Sequence, residues 1–386
     1  MAASEVETPV SGRAPTPHAP AGDERGPDAS APPGHAAGDP ERTDGAPVRG
    51  RRRAALPLLA LGTLLVALGA LALGRYLVPP NEILRMIGGQ VLPLARTWTP
   101  TEEAVVLDVR LPRVLLALLV GGGLALSGAA LQGVFRNPLV SPDVIGVSSG
   151  ASLGGVLALL FGLGSLQLVT GAFAFGLLAL AIVLLVGGRA GGSPLLMIIL
   201  AGTVTGAFFS ALVSFATYVA DPYTELPSIV FWLLGSLATA SYGKVLVAVG
   251  PVLAGALVVL CLRWRLNVLS LGDEDAASLG VPPRPTRLLL LTAVALITAG
   301  SVAVSGLVGW VGLVVPHLAR LWAGTDHRVL LPASFLLGGA YLTVIDTLSR
   351  CLTSGEMPLG ILTAVIGAPF FVVLLARSRD RMWIND

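Results

Sequence analysis

The sequence predicts an all-α, polytopic membrane protein with about ten transmembrane helices. Hydrophobic residues make up 54% of the 386 residues and charged residues only 12%, and the mean hydropathy is +0.80. Apolar runs long enough to cross a hydrocarbon core of ~30 Å recur along most of the chain. The net charge of +2 is small, and the positive residues form short clusters between the apolar runs. This pattern argues against a nucleic-acid-binding role.

Residues 1–48 differ in composition from the rest of the chain and predict a disordered cytoplasmic tail. They are rich in Pro, Ala, Gly and acidic residues and contain no aromatic residue, so they cannot bury enough apolar surface to offset the entropy lost on ordering. A cleavable signal is not predicted, because its charged and apolar regions would stand at the very start. The basic run Arg49-Gly-Arg-Arg-Arg53 holds the first apolar segment's near end in the cytoplasm. Residues 49–380 are assigned to one transmembrane domain.

Ten apolar segments follow, and an even number places both termini in the cytoplasm. Segments assigned inside carry most of the arginines, which agrees with the excess of positive charge on cytoplasmic loops. The exception is residues 79–113, assigned outside, where either the count is wrong or four arginines have a specific role. These are Arg85, Arg96, Arg110 and Arg113. The predicted spans are 55–78, 112–134, 144–164, 167–187, 194–218, 243–263, 286–305, 307–324, 330–350 and 359–376.

Residues 226–235 form an apolar segment of about half the length of a span. It follows Asp221-Pro222 and Glu225. Short apolar segments of this kind are typical of re-entrant or interfacial helices. The alternative is an aromatic-belt segment with Trp232 at the level of the lipid headgroups.

Residues 267–281, predicted to lie inside, read as two short helical turns broken by glycine. Acidic residues stand where the second turn begins, a position that favours negative charge. The apolar residues predict a rigid knob that docks onto another protein or, alternatively, a cap folded against the bundle. The residues assigned to this contact are Leu269, Leu271, Gly272, Asp273, Glu274, Leu279 and Gly280.

No ATP-hydrolysing site is predicted in this chain. The sequence has no G-x-x-x-x-G-K-[ST] phosphate-binding motif. A carrier driven by an ion gradient usually holds acidic or histidine residues deep in its spans. Here the notable ones are His317 and the pair Asp346 and Arg350, four residues apart on one helical face. The pair is explained by mutual neutralisation and the histidine by a structural hydrogen bond, so proton coupling is the weaker reading.

The motifs together resemble the permease subunits of the iron-siderophore and cobalamin ABC importers, the ten-helix type II importers. The resemblance covers residues of about 55–377. Its longest motifs are Arg110-Leu-Pro-Arg113, Ser127-Gly-Ala-Ala-Leu-Gln-Gly133, Asn137-Pro-Leu139, Gly146-Val-Ser-Ser-Gly-Ala151, Gly309-Trp-Val-Gly-Leu-Val-Val-Pro-His-Leu-Ala-Arg320 and Glu356-Met-Pro-Leu-Gly360 with the segment that follows to Phe370.

The resemblance implies three functional regions. Arginines of the outer motif and one at the end of the ninth span are expected to meet acidic residues of a substrate-binding protein, and these are Arg110, Arg113 and Arg350. A cytoplasmic gate is expected from Asn137, Leu139, Leu196 and Leu200. The knob at 267–281 is expected to be the pair of coupling helices that dock on a separate ATPase subunit, whose closure would rock the permease halves.

The function expected from this resemblance is the translocation of ferric siderophore complexes through a bacterial plasma membrane. Cobalamin or haem is the alternative cargo within the family, and a gradient-driven secondary transporter or a non-transport scaffold are the alternatives outside it. Expected partners are a second permease copy or a paralogue, a dimer of ATP-binding subunits, an extracytoplasmic siderophore-binding protein and the lipid bilayer. No catalytic residue, cofactor or metal ligand is expected in this chain, because the chelator fills the coordination sphere of the iron.

Overall fold

A computed structural model of the chain describes residues 46–382, except for positions 91, 94, 190–193 and 354. The predicted tail therefore lies outside the described residues up to position 45, and the first helix begins at Ala46. The described residues form no strand, which confirms the all-α prediction. The helices are α1 (Ala46–Ala72), α2 (Pro80–Gly89), α3 (Pro100–Glu103), a π-helical stretch (Ala104–Arg110), α4 (Leu111–Phe135), a 3-10 turn (Pro142–Ile145), α5 (Val147–Leu160), α6 (Ser165–Arg189), α7 (Pro194–Val219), α8 (Glu225–Leu233), α9 (Tyr242–Cys261), α10 (Arg263–Leu269), α11 (Asp273–Ser278), α12 (Pro283–Ser305), α13 (Val311–Ala323), α14 (His327–Cys351) and α15 (Leu359–Met382).

Each of the ten predicted spans falls on one apolar helix. Among the described residues, six helices are long and apolar enough to cross a membrane: α4 with the turns before it, α6, α7, α9, α12 and α14. The other four predicted spans correspond to shorter apolar helices at Leu56–Ala72, Val147–Leu160, Val311–Ala323 and Leu359–Val373. The short connectors α2, α3, α8, α10 and α11 lie between them.

Helices α4 and α12 form the centre of the bundle. The most apolar stretch of α4 is 83% buried and that of α12 is 78% buried, whereas that of α7 is only 22% buried. Helix α14 packs along α4, α9 and α6 pack against α12, and α5 packs between α6 and α7. The exposed side of α7 is therefore available to lipid or to another chain.

Small residues allow the central helices to approach closely. Gly121 of α4 faces Gly338 of α14, and Gly128 of α4 faces Gly312 of α13. A β-carbon at Gly121 or Gly128 would overlap the facing glycine's carbonyl oxygen. Membrane helices associate without a hydrophobic driving force between them, so close van der Waals packing of this kind carries much of their association.

Helix α8 is the short apolar segment that the sequence predicts. It spans nine residues, and the chain leaves it through Gly235, whose φ of +73° favours glycine. The N–H of Ser236 donates to the carbonyl of Ser305 at 2.8 Å, and the N–H of Leu359 donates to the carbonyl of Gly235 at 2.9 Å. These bonds fix the end of α8 to the ends of α12 and α15, where Trp232 is partly buried.

Candidate functional site

Arg110 stabilises the C-terminus of α1. Its side chain is buried, with 4% of the residue exposed. Nη1 donates to the carbonyl oxygens of Leu71 at 2.6 Å and Ala72 at 3.2 Å, and Nη2 donates to that of Tyr76. The last carbonyls of a helix have no partner within the helix, so a cation placed there satisfies them and complements the helix dipole.

Arg113 lies in a buried cluster of four charges with Asp346, Arg350 and Glu356. Its Nε donates to both carboxylate oxygens of Asp346 at 2.8 and 2.9 Å, and its two terminal nitrogens bind the carboxylate of Glu356, each at 2.9 Å. Arg350 approaches Asp346 at 3.3 Å and also donates to the carbonyl of Ala70 at 3.3 Å. The predicted neutralisation of Asp346 by Arg350 is confirmed, and the structure adds Arg113 and Glu356.

The three arginines predicted to dock a binding protein thus meet at one end of the bundle. There they tie together α1, α4 and α14. The donors of Arg110 and Arg113 are engaged within the chain, and Glu356, with 34% of its side chain exposed, is the more accessible member. Docking stays a prediction for these residues, and their structural role is a finding that the sequence did not provide.

The two other arginines in 79–113 also have partners. Arg85 lies 3.7 Å from Glu82 and donates to the hydroxyl of Thr97 at 3.1 Å, while Arg96 lies 3.8 Å from Glu103. All four arginines that conflicted with the charge rule therefore have partners within the chain. The side of the membrane on which they lie stays a prediction.

The predicted gate turn follows α4 at the opposite end of the bundle. Arg136 ends the helix in the left-handed region at φ +51°, and Asn137 accepts the N–H of Leu139 on its Oδ1 at 2.9 Å. With Pro138 between them, this Asx turn fixes the backbone. Leu139 is consequently held out from the bundle, with 51% of its surface exposed.

The other two gate residues, Leu196 and Leu200, lie on the first turns of α7 and are also about half exposed. Gly202, two residues after Leu200, packs against the backbone of Val144 and Ile145, just beyond the gate turn. The structure therefore fixes the start of α7 to the segment that follows the gate. Closure of Leu139 against the two α7 leucines remains a prediction.

The predicted knob consists of α10, α11 and their connectors. Leu269 is fully buried and Val281 is 2% exposed, whereas Leu271 and Leu279 are 61% and 56% exposed. Both sequence-based readings thus apply to different residues, because some side chains seat the knob on the bundle and others project from it. Leu269, which the sequence predicts to contact the ATPase, is instead one of the residues that pack the knob against the bundle. Gly272 and Gly280, at φ +146° and +76°, flank α11 as predicted.

Asp273 attaches the knob to two other elements. Its carboxylate accepts hydrogen bonds from Nη1 of Arg287 on α12 at 2.7 Å and from Nη2 of the same residue, and it lies 3.9 Å from Arg136 at the end of α4. The hydrogen bonds from Arg287 are the largest cause that lowers the pKa of Asp273 below its ordinary value. The neighbouring Glu274 is exposed to solvent. Asp273 therefore links the knob to the residue that precedes the gate turn.

The bundle of apolar helices defines a multi-pass membrane protein. The chain belongs to the FecCD transport family, which it matches over residues 59–377. Members of this family are permease subunits of ABC importers, so the resemblance drawn from the motifs is confirmed.

Relatives of this chain include permeases with different cargoes. The molybdate import system permease protein of Haemophilus influenzae is 44% identical over 327 residues, which cover 84% of this chain and 95% of the relative. The hemin transport system permease protein of Yersinia pestis is 40% identical, and the alignment covers 84% of this chain and 97% of the relative. A solved structure of an inward-facing metal-chelate type ABC transporter is 43% identical, covers 83% of this chain and 98% of its own, and superposes with a TM-score of 0.75. The fold is that of a type II importer permease.

Proposed function

We propose that this chain forms the translocation pathway of an ABC importer that passes intact ferric siderophore complexes into the cytoplasm. A separate ATPase subunit supplies the energy, and the chain itself performs no hydrolysis. The observation that carries this proposal is the knob: it is seated on the bundle by Leu269 and Asp273, yet it presents Leu271 and Leu279 outward. An exposed apolar pair on a fixed helical platform is suited to docking a partner.

The pathway lies along the exposed side of α7 and is completed by a second permease copy or a paralogue. Helix α7 contains no charged residue between Pro194 and Val219, and its exposed residues combine leucine and phenylalanine with threonine and serine. Such a wall offers a bulky chelate few groups that could bind it tightly, which favours release. Two of the gate residues, Leu196 and Leu200, stand at the start of this same helix.

The ATPase moves the gate through the knob. Leu271 and Leu279 dock in the ATPase dimer, and Asp273 passes the displacement of α11 to Arg136 and Arg287. Since Arg136 immediately precedes Asn137, rotation of the knob redirects the gate turn as one rigid unit.

A siderophore-binding protein docks at the opposite end, over the arginine cluster. Within this cluster the three arginines Arg110, Arg113 and Arg350 outnumber the two carboxylates, so the cluster carries a net formal charge of +1. An excess of positive charge attracts an acidic partner and steers its approach. In this orientation the knob and both termini face the cytoplasm of a bacterial cell, and the docking end faces outward.

The uncharged pathway wall and the metal-chelate type of the related solved structure support a siderophore complex as the cargo. Molybdate is the second candidate, because a relative that covers most of this chain at 44% identity is a molybdate permease. Haem and cobalamin are the further family alternatives.

Uptake into a permease-deletion strain distinguishes the cargoes and tests the ATPase contact. Cells carrying the wild-type chain are given radio-iron siderophore or radio-molybdate, with the amount of protein in the membrane measured in parallel. The variant Leu271→Glu with Leu279→Glu is expected to abolish uptake, while the matched control Leu271→Met with Leu279→Met retains it because the docking surface stays apolar. Restored molybdate uptake with no iron uptake would overturn the siderophore assignment, and full uptake by the glutamate variant would overturn the docking assignment.

A further inference from the structure

A cavity of about 510 Å³ lies beside the gate turn and is lined in part by the predicted gate residue Asn137. It is bordered by the end of α4, by α10 and by the link between α13 and α14. Gln132 and Arg136 contribute from α4, Asn267 from α10, Arg320 from α13 and His327 from α14. The cavity therefore contacts both the residue before the gate turn and the first coupling helix.

Arg320 lines this space and carries an unsatisfied donor. Its Nη1 has no accessible surface and no hydrogen-bond partner among the described residues. Buried polar groups nearly always have partners, and an arginine fork without one calls for an explanation. Gln132 is a second unsatisfied group: it is 3% exposed, its Nε2 reaches the carbonyl of Gly312 at 3.4 Å, and its Oε1 has no partner.

The one carboxylate lining the cavity does not neutralise the two arginines. Asp326 uses Oδ1 to accept hydrogen bonds from Nδ2 of Asn267 at 2.6 Å and from the N–H of Arg328 at 2.9 Å. Arg136 stands at the rim with 43% of its side chain exposed, and its ion pair with Asp273 is long at 3.9 Å. The cavity lining thus holds two arginines and one carboxylate, a surplus of one formal positive charge.

We propose that this cavity is a binding site for a small tetrahedral oxyanion, of the chemistry shared by phosphate, sulfate and molybdate. The part of the Arg320 guanidinium that lines the cavity binds the anion, and Arg136 approaches from the rim. Arginine suits this task because its donors match oxyanion geometry in pairs and it stays charged. The size of the cavity admits such an anion together with bridging water.

Occupancy of this site couples an intracellular anion to the gate. The bound anion would hold Arg136, and hence the gate turn, to α13 and to the cavity wall that α10 provides. This consequence rests on the proposed transport function, whereas binding itself does not. A ligand that favours one arrangement of the gate shifts the population toward it and thereby alters the rate of transport.

Direct binding to the purified full-length chain in detergent tests the site without reference to transport. Equilibrium dialysis with radiolabelled phosphate, sulfate and molybdate, each at low ionic strength, is expected to show saturable binding of one anion per chain. Arg320→Gln should weaken binding by at least about tenfold, because charge-assisted paired hydrogen bonds are lost. Arg328→Gln is the matched control, since this arginine is exposed and does not line the cavity, and it should bind as wild type does.

Two further variants keep the test decisive if Arg320→Gln lowers the yield of folded protein. Arg136→Gln changes only a side chain at the rim and should also weaken binding, and Arg320→Lys should bind with intermediate affinity because it keeps the charge but loses the fork. Comparison of the affinities for the three anions identifies which of them the site binds. The proposal is overturned if the wild-type chain shows no saturable binding of any of them, or if Arg320→Gln and Arg136→Gln both bind as tightly as the wild type.

Discussion

Replacement of Asp346 by asparagine removes the central negative charge of the buried cluster. In the wild-type chain, Asp346 and Glu356 balance Arg113 and Arg350, so these four residues sum to zero charge. The asparagine leaves a net charge of +1 in a region where Arg113 and Arg350 are 4% and 11% exposed. Buried charge without a counter-charge is costly because water cannot solvate it.

The size of the effect follows from which contacts remain. Glu356 still binds Arg113 through two hydrogen bonds of 2.9 Å, so the loss falls mainly on Arg350, which keeps only carbonyl and hydroxyl acceptors. Breaking a buried ion pair costs about 3–5 kcal/mol. With Arg113 still paired, we expect the lower end, about 3 kcal/mol, which is roughly a hundredfold in the unfolding equilibrium constant.

Reversible unfolding by sodium dodecyl sulfate in mixed micelles, followed by tryptophan fluorescence, measures this free energy. The matched control is Arg96→Gln, which removes an ion pair of 3.8 Å whose arginine is 76% exposed and should cost about 0–1 kcal/mol. The double variant Asp346→Asn with Arg350→Gln should recover part of the loss, because it also removes the unpaired cation. Equal stability of Asp346→Asn and the control would refute the reasoning.

Two other predictions concern the helix contacts and the knob. Gly128→Ala should lower the same unfolding free energy by about 1–3 kcal/mol, because its β-carbon would overlap the carbonyl of Gly312. The control Gly250→Ala, whose β-carbon meets nothing within 4 Å, should not lower it. Similar losses of free energy in the two variants would contradict the packing account. Asp273→Asn should raise the rate of amide hydrogen exchange across residues 266–282. The control Glu274→Gln, at the exposed neighbouring residue, should leave this rate unchanged. An unchanged exchange rate in Asp273→Asn would show that the knob packs on the bundle without this contact. Because Arg287 lowers the pKa of Asp273, the stabilisation is complete above its ordinary pKa of 3.8 and disappears as the pH falls through the lowered value.

Local patterns in the sequence predict most of the fold. The lengths of the apolar runs alone locate ten apolar helices. The glycines Gly272 and Gly280, which interrupt the helical pattern, predict the ends of α11. The i to i+4 spacing of Asp346 and Arg350 predicts their contact, because residues four apart share a helix face. These features depend on neighbours in the chain, which a single sequence displays directly.

Contacts between distant residues account for what the sequence did not predict. Arg113 meets Asp346 and Glu356 across 233 and 243 positions, and no spacing rule connects residues so far apart. Leu269 and Leu271 are equally apolar, yet one is fully buried and the other exposed, since the path of α10 over the bundle decides which face is covered. The unsatisfied donor of Arg320 likewise emerges only when three helices are brought together around it.

Transport by the purified complex in proteoliposomes tests the central claim most directly. Liposomes holding the chain, its ATPase subunits and ATP inside are given binding protein loaded with radio-iron siderophore outside. The account predicts uptake that requires internal ATP and is lost with Leu271→Glu and Leu279→Glu at equal incorporation. Uptake driven by an imposed proton gradient in the absence of ATP, and unaffected by those substitutions, would contradict it.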